Sequence, residues 1–167
     1  MTGGARVART RGHDFSTGAL NHMDVCGTDG QSLRAKWAAG PRAHLGLMSA
    51  GFPNLFMITG PGSPSVLSNM VVSIEQHVDF IATCIAALQE RGSAALEPEV
   101  AAEDQWVQHL DELASRTLHG RANSWYRGVN VPGKPQVFMP YAGGVHTYRK
   151  LCQSVVEQGF PGFRFTP

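Results

Sequence analysis

The sequence predicts a mixed α/β fold, and three observations lead to that prediction. The run "NLFMIT", residues 54–59, is short, continuously apolar and bounded by Pro53 and Gly60, which is typical of a strand buried on both faces, as in parallel sheets. A long helical pattern follows over residues 68–92, and the run "FRF" at residues 163–165 predicts a closing strand. The 167 residues are enough for one domain that buries roughly two-thirds of the surface of its unfolded chain.

The first fifty residues are rich in glycine and only weakly periodic, so the sequence predicts no core there. The exception is "GTDGQSLRAKWAAGPR", residues 27–42, which predicts a turn and one short helix closed by Gly40 and Pro41. The first strong element is therefore expected after Pro53.

The helix predicted over residues 68–92 has the clearest pattern in the chain. Ser68 is the predicted N-cap, and Gly92 ends the pattern. Six apolar residues keep helical spacing and predict the buried face: Met70, Ile74, Val78, Ile81, Ile85 and Leu88.

A second helix is predicted over residues 97–118. Its apolar face is expected to carry Val100, Val107, Leu110 and Leu118. Residues 119–136 then form a polar loop, punctuated by Gly and Pro, that is long enough to be functional by length alone. A short strand "VFM" at residues 137–139 and a helix over residues 148–157 precede the closing strand.

Charge and cysteine content narrow the class of protein. The 14 Lys and Arg residues nearly balance 13 Asp and Glu residues without a basic stripe, so nucleic acid is not an expected partner. Cys26, Cys84 and Cys152 are far apart and odd in number, and two of them lie in helix-like runs, where a small buried thiol is the usual meaning. A reducing cytoplasm is expected. No uninterrupted apolar run approaches the roughly 18 residues of a membrane span, and no signal core follows the basic N-terminus. A soluble, unexported protein is expected.

The stretch "ITGPGSPSVLSNM", residues 58–70, joins the predicted strand to the predicted helix through small and rigid residues. Such residues suit a backbone that approaches a ligand, because Gly has no Cβ and Pro fixes φ, but they equally suit an ordinary turn. A helix N-terminus carries unpaired N–H groups and partial positive charge, which suit a phosphate or the electron-rich edge of a ring. The residues alone leave both interpretations open.

Two other chemistries have little support in the sequence. The seven histidines show no pair at metal-ligand spacing on one helix face with a third acid or thiol nearby, so no metal site is expected. Ser65 lacks the Gly-x-Ser-x-Gly turn of hydrolase nucleophiles, and no His or Asp partner can be assigned from order alone.

Four separated stretches carry a resemblance to a known family. They are "KWAAGPRAHLGLMSAGFPNLFMITGPGSPSVLSNMVVSIEQHVDFI", "EDQWVQHLDELA", "NSWYRGVNVPGKPQVFMPYAGGVHTYRKLC" and "GFPGF". In this order they resemble the C-terminal part of flavin-dependent Baeyer–Villiger monooxygenases, close to the phenylacetone and cyclohexanone monooxygenase group. The similarity runs in register from about Asp14 to Thr166.

The resemblance implies an α/β C-terminal fragment of a flavoprotein that has two dinucleotide-binding domains. Residues 14–50 would be the linker that returns to the FAD domain, and residues 51–92 the last strand and helix of that domain. Residues 93–167 would be a C-terminal helix-loop-strand segment, with an NADP-covering loop at residues 123–135. Residues 1–13 are not matched.

The resemblance also implies a reaction and its site. Enzymes of this family use FAD, NADPH and O2 to insert an oxygen beside a ketone carbonyl, which gives esters or lactones. By analogy, Asn69 and the Met70 backbone approach the flavin, and Trp125 folds over the nicotinamide end of NADP. A bulge would line the substrate pocket with Pro64, Ser65, Val66, Leu67 and Ser68. Simple core packing for Met70 and a packing anchor for Trp125 are the alternatives.

Other parts expected of the family are missing from the chain. No Gly-x-Gly-x-x-Gly occurs, so neither dinucleotide phosphate-binding turn is present. The family's catalytic arginine lies upstream of the matched region, so no catalytic residue is assigned, and Arg11 stands where the family has Thr in an Ala-Thr-Gly motif. We expect the isolated chain to bind neither FAD nor NADPH stably.

Two interpretations of the chain follow. It contributes to a monooxygenase within a longer product or beside a second polypeptide that carries the dinucleotide-binding domains, or it is a non-catalytic truncated remnant. Without its sheet, the run at residues 54–59 is expected to promote aggregation or a dye-binding molten state.

Overall fold

The computed structural model describes residues 17, 18, 20, 23–64, 68–116 and 139–167. The helices and strands in these residues are, in chain order, α1 (Leu33–Lys36), α2 (Met70–Glu90), β1 (Ala95–Pro98), α3 (Val100–Ser115), α4 (Val145–Glu157) and β2 (Phe163–Thr166). Two 3₁₀ turns, Thr28–Gly30 and Trp37–Ala39, flank α1. The mixed α/β class and the closing strand are therefore confirmed.

The sheet in the described residues is a pair of antiparallel strands. β1 lies against β2 with Ala95 opposite Thr166 and Pro98 opposite Phe163. Glu97 is buried although charged, because its carboxylate accepts the Gly51 N–H at 2.9 Å and pairs with Arg164. The prediction that α3 begins near residue 97 is wrong, since the strand takes residues 95–98 first.

The predicted strand at residues 54–59 does not form. Its one ladder contact is an isolated bridge between Phe56 and Met48, and left-handed backbone at Asn54 (φ 59°) and Thr59 (φ 56°) interrupts the extended run. A strand needs neighbours for its N–H and C=O groups. The Met57 N–H bonds the Leu47 carbonyl at 2.8 Å as part of this single bridge, and no further ladder extends it among the described residues.

The N-terminal region contributes to the core, contrary to the sequence prediction. Segment 43–50 is buried, and Leu45, Leu47 and Met48 belong to the main hydrophobic cluster. A second cluster comprises Leu33, Trp37, Ala43, Phe52 and Met57. The sequence pattern did not predict this packing, because the buried residues are separated by turns and follow neither a helical nor a strand period.

A buried carboxylate ties this N-terminal region to α3. Glu103 is 1% exposed and accepts hydrogen bonds from the Lys36 ammonium, the Ser49 hydroxyl and the Ala50 N–H, at 2.8 to 3.1 Å. Three donors of this kind offset the cost of burying a charge. Residues 36–50 are thereby fixed against one face of α3.

Helix α2 has the predicted extent but a different cap and a different buried face. Asn69, rather than Ser68, is the N-cap. The buried face carries Ser73, Gln76, His77, Phe80, Cys84, Ala87 and Leu88. Most of the predicted apolar face is exposed instead. We define this uncovered stripe by Met70, Val71, Ile74, Val78 and Ile85, which are 37 to 63% exposed.

Helix α2 is also long and apolar enough to cross a membrane by length and composition. This is weak evidence for a membrane segment, because core helices of globular proteins meet the same criterion. The buried face of α2 carries the polar Gln76 and His77, which already contact other parts of the chain.

The C-terminal elements pack on α2 and α3 through aromatic residues. Trp106 of α3 stacks on Tyr141 with ring centroids 5.5 Å apart, and Tyr148 of α4 lies within 6.2 Å of the Trp106 ring centre. Helix α4 begins at Val145, three residues before the prediction. The predicted strand at 137–139 cannot be followed, because residues 137 and 138 lie outside the described part of the chain, as does Leu118.

The two cysteines in helices are buried, as the sequence predicts. These are Cys84 and Cys152, whereas Cys26 is exposed. Burial raises the pKa of Cys84 to about 12 and that of Cys152 to about 11. Both buried side chains are therefore protonated and behave as small apolar groups.

Candidate functional site

The glycine-rich loop at residues 60–64 is small because it packs against the chain itself. A Cβ on Gly60 would lie 2.5 Å from the carbonyl oxygen of Gly46, so no side chain fits at that position. Gly62 has a φ of 91°, and a Cβ there would lie 2.9 Å from Leu110 and 3.0 Å from the Trp106 indole nitrogen. Internal packing therefore explains two of the glycines that the sequence left open between a turn and a ligand contact.

Hydrogen bonds hold this loop along its whole length. The Ser63 hydroxyl donates to the Gly60 carbonyl at 2.8 Å, and the Trp106 indole N–H donates to the Gly62 carbonyl at 3.2 Å. Backbone bonds tie the loop to the segment before α4, from the Gly62 N–H to Met139 and from the Tyr141 N–H to Ser63, at 2.7 and 2.9 Å. The loop is thus a fixed support up to Pro64, which is buried.

The start of α2 is the accessible part of the candidate site. The Asn69 side chain accepts the Val71 N–H at 3.1 Å, and the hydroxyls of Ser68 and Ser73 share a hydrogen bond of 2.7 Å. Asn69 is exposed, and Met70 is 37% exposed, so Met70 is not a core residue of this chain. The N-terminus of a helix of 21 residues therefore faces outward.

The structure places the predicted site residues in three groups. Asn69 and Met70 lie at the exposed helix start, with Ser68 half-buried beside them. Pro64 lies at the buried end of the loop. Ser65, Val66, Leu67 and Trp125 lie outside the described residues.

Sequence reasoning missed two buried side chains that hold the segment ahead of the loop. His77 of α2 accepts the Thr59 N–H at Nδ1, 3.1 Å away, and Tyr148 of α4 donates its hydroxyl to the Leu45 carbonyl at 2.6 Å. Burial lowers the pKa of His77 to about 4, and it raises the pKa of Tyr148 well above 10. Both groups are neutral near pH 7. The sequence signal that could have identified His77 was its position three residues after Ile74, next to the apolar pattern of α2.

The chemistry available at the helix start is binding rather than bond-making. It offers backbone amides, the Asn69 side chain and apolar surface at Met70. No group of three or more His, Cys, Asp or Glu residues that could hold a metal ion occurs among the described residues. A flat ring with an electron-rich edge, held against amides and apolar atoms, fits this surface.

Comparison with known proteins gives consistent relatives. A Baeyer–Villiger monooxygenase from Pseudooceanicola batsensis is 41% identical over 149 residues, which cover 89% of this chain and 27% of that protein. The structure of an oxidized steroid monooxygenase bound to NADP is 45% identical with a TM-score of 0.83, and OTEMO in complex with FAD and NADP is 31% identical, also with a TM-score of 0.83. Each structural match covers 90% of this chain and 27 to 28% of the other chain. No family model matches the sequence.

These matches show how much of the relatives' length this chain covers. It spans 27 to 30% of the length of the first curated relatives, although the match takes in about nine-tenths of its own residues. The exposed stripe of α2 lies within this matched part.

Proposed function

We propose that this chain forms one side of the flavin and substrate site of an FAD- and NADPH-dependent monooxygenase. The chain is homologous to the C-terminal part of Baeyer–Villiger monooxygenases. Such an enzyme inserts one oxygen atom from O2 into a ketone to give an ester or lactone. The observation that carries the proposal is the outward-facing start of α2 at Asn69 and Met70, which follows a rigid loop in the sequence. The chain acts within a longer product or beside a second polypeptide.

The residues at this site have distinct roles in the proposal. The Met70 amide and the positive end of α2 favour negative charge on the pyrimidine edge of a bound flavin. Residues 64–68 line the ketone pocket, and Trp125 covers the nicotinamide. FAD, when bound, supplies the activation of O2. The described residues fit the ring of FAD but not its phosphates, because the chain has no Gly-x-Gly-x-x-Gly turn.

The exposed stripe of α2 supports the need for further polypeptide. Its five apolar side chains run along about four turns of the helix, and no described residue of the chain buries them. A stripe of this kind marks an interface. A dinucleotide-binding domain packed there would cover it and would bring the FAD phosphate site that this chain lacks.

The decisive experiment is reconstitution. The upstream part of the Pseudooceanicola batsensis monooxygenase is produced with this chain, either fused to it or as a separate polypeptide. We expect bound flavin and NADPH oxidation that depends on ketone, with esters formed from a panel of linear and cyclic ketones. Neither the upstream part nor this chain alone should do this. Failure to bind flavin in both formats, with both parts folded, contradicts the proposal.

A non-catalytic remnant is the second candidate. The observation that favours it is Arg11 in place of the threonine of the family motif. The genomic sequence just upstream separates the two. An open frame that encodes a Gly-x-Gly-x-x-Gly turn supports the enzyme, and stop codons in all frames support the remnant.

Trp125 gives a sharper test of the cofactor role once activity is reconstituted. Trp125→Ala should keep bound FAD and the melting temperature but weaken NADPH use and ester formation, because an indole covers the nicotinamide with a flat apolar face and one N–H donor. In Trp125→Phe, which keeps an aromatic ring, NADPH use and ester formation should lie between those of the parent and those of Trp125→Ala. If Trp125→Ala instead lowers the melting temperature by several degrees with unchanged turnover per folded molecule, Trp125 is a packing residue.

A further inference from the structure

Leu45 and Thr59 are two of the non-glycine residues with left-handed backbone in the described part of the chain, and each is followed directly by a glycine. Leu45 has a φ of 56° and precedes Gly46, and Thr59 has a φ of 56° and precedes Gly60. This conformation is uncommon for leucine and rarer still for a β-branched residue such as threonine. It persists only where the surrounding structure imposes it.

Each of these residues is held by one buried side chain. The Thr59 N–H is bound by His77 and the Leu45 carbonyl by Tyr148, and both side chains are 0% exposed. The rings of His77 and Tyr148 meet edge-on, with centroids 5.6 Å apart and an interplanar angle of 77°. We call these four residues the clamp: Leu45, Thr59, His77 and Tyr148.

The clamp flanks the place where two backbone segments touch. Gly46 follows Leu45, Gly60 follows Thr59, and these glycines pack too closely for a Cβ on Gly60. A change of backbone at Thr59 therefore moves the first residue of the loop at 60–64 against Gly46. Because no side chain stands between the two segments, the contact cannot absorb the shift.

We propose that His77 is a positioning residue: by holding Thr59 in its left-handed conformation, it sets the direction of the loop at 60–64 relative to α2. His77 lies two turns after Met70, so one helix carries both the exposed helix start and the group that fixes the loop. The identity of the ligand that the loop faces rests on the proposed function. The contacts of the clamp do not depend on that function.

The contact requires a neutral imidazole. Since Nδ1 accepts the Thr59 N–H, the ring proton lies on Nε2, which has no hydrogen-bond partner among the described residues. Protonation would set a second N–H against the Thr59 N–H. Tyr148 is the titratable group that faces the ring from α4, and burial alone, with no neighbouring charge, lowers the pKa of His77 to about 4.

Two substitutions separate this role from simple packing. His77→Asn places an acceptor oxygen close to the position of Nδ1 and cannot be protonated, whereas His77→Leu fills apolar space and removes the acceptor. Asparagine and histidine have similar helix propensity, and leucine has a higher one, so a loss in the leucine variant cannot come from propensity.

The test is hydrogen–deuterium exchange of the complete 167-residue chain, measured by mass spectrometry and corrected for intrinsic exchange. At pH 7, His77→Leu should lose at least tenfold protection at the Thr59 amide, and His77→Asn should restore most of it. Between pH 7 and pH 5 the parent chain should lose about tenfold protection there, and His77→Asn should not. Amides of α3 report global stability in the same samples.

Several results overturn the inference. They are an unprotected Thr59 amide in the parent chain at pH 7, full protection in His77→Leu, an equal pH response in parent and His77→Asn, and losses at Thr59 no larger than those across α3. In a reconstituted enzyme, His77→Leu should lower kcat/KM at least tenfold, with rescue by His77→Asn. If no parent reconstitution is active, the proposed function fails, while the exchange measurement still decides the role of His77.

Discussion

The two faces of α2 are the reverse of what its sequence pattern predicts. The side that packs against the chain carries polar groups, with Gln76 and His77 at no more than 6% exposure. The side with the regular apolar stripe is open, and Val71 is 63% exposed. A helix is stable in this state only if the polar side chains are matched by specific contacts, as the His77 bond to Thr59 shows.

This difference teaches that the two faces of α2 have different partners. The polar face contacts other parts of the same chain, through the His77 bond to Thr59 and through α4. The apolar face has no partner in the described residues, and the relatives that match this chain are more than three times as long. We infer that the polar face fixes the geometry of the site and that the apolar face joins the site to the remainder of an enzyme.

The largest effect should come from breaking the covered face. Phe80 is 4% exposed and contacts Phe160 and Phe163, with ring centroids 6.5 and 6.3 Å away. Phe80→Ala should lower the free energy of unfolding by about 3 to 5 kcal/mol. Ile85→Ala, on the open stripe at 43% exposure, should cost less than about 1 kcal/mol. Thermal and urea unfolding measure both, and equal losses would mean that the stripe is buried in solution.

Acid should weaken the covered face next. Burial lowers the pKa values of His44 and His77 from 6.5 to about 4. The unfolded chain therefore binds protons below pH 6.5 that the folded chain accepts only near pH 4. Stability is fully present above pH 6.5 and falls as the pH drops toward 4, by on the order of a few kcal/mol for the two groups together.

Urea unfolding at pH 7 and pH 5 checks this dependence. A double variant, His44→Gln with His77→Asn, should be less stable at pH 7 but should show a weaker decline with acid. The His44 Nδ1–H also donates a hydrogen bond to the Ala102 carbonyl at 3.1 Å, and the ring lies near Glu103; both raise the pKa of His44 and oppose the effect of burial in part. A stability that rises as the pH falls from 7 to 5 would contradict the assignment of neutral, buried imidazoles.

Periodicity explains why the sequence predicted α2 and missed its orientation. Apolar spacing identifies which residues share a face but not what covers that face. For Ile74 and Val78 the stripe is real, and its partner lies outside this chain in the proposal. For the run at 54–59 the apolar composition was equally informative, but a buried strand needs paired neighbours, and without them the residues at Asn54 and Thr59 turn.

The candidate site could be located from sequence but not built from it. The loop and the helix start were identified from Gly, Pro and a capping residue, although the cap is Asn69 and not Ser68. The contact of Gly60 with Gly46 and the bond from Thr59 to His77 join residues 14 to 18 positions apart. Local propensity carries no information on such pairs, so only the structure shows what holds the loop.

A smaller effect is expected at the helix start, which both faces share. Asn69→Ala removes the acceptor for the Val71 N–H and should cost about 1 kcal/mol of unfolding free energy. Asn69→Ser keeps a capping oxygen and should cost only a few tenths. Thermal unfolding compares the two. If alanine and serine are equally tolerated, the cap seen in the structure does not contribute in solution, and the role of Asn69 would have to lie in ligand contact alone.

The smallest effect on stability should come from the open stripe, where the consequence is association instead. A double variant, Val78→Gln with Ile85→Gln, should change the free energy of unfolding by no more than about 0.5 kcal/mol, because both side chains are nearly half exposed. It should nevertheless reduce self-association and the binding of a hydrophobic dye several-fold, since the apolar stripe is interrupted. Ala86→Gln, at an exposed position that shares a helix face with Asp79 and Glu90 and not with the stripe, is the matched control and should leave both properties unchanged. Light scattering and dye fluorescence measure the two effects. If the double variant associates as strongly as the parent, some other surface drives association, and the stripe is not the face through which this chain would join a larger enzyme.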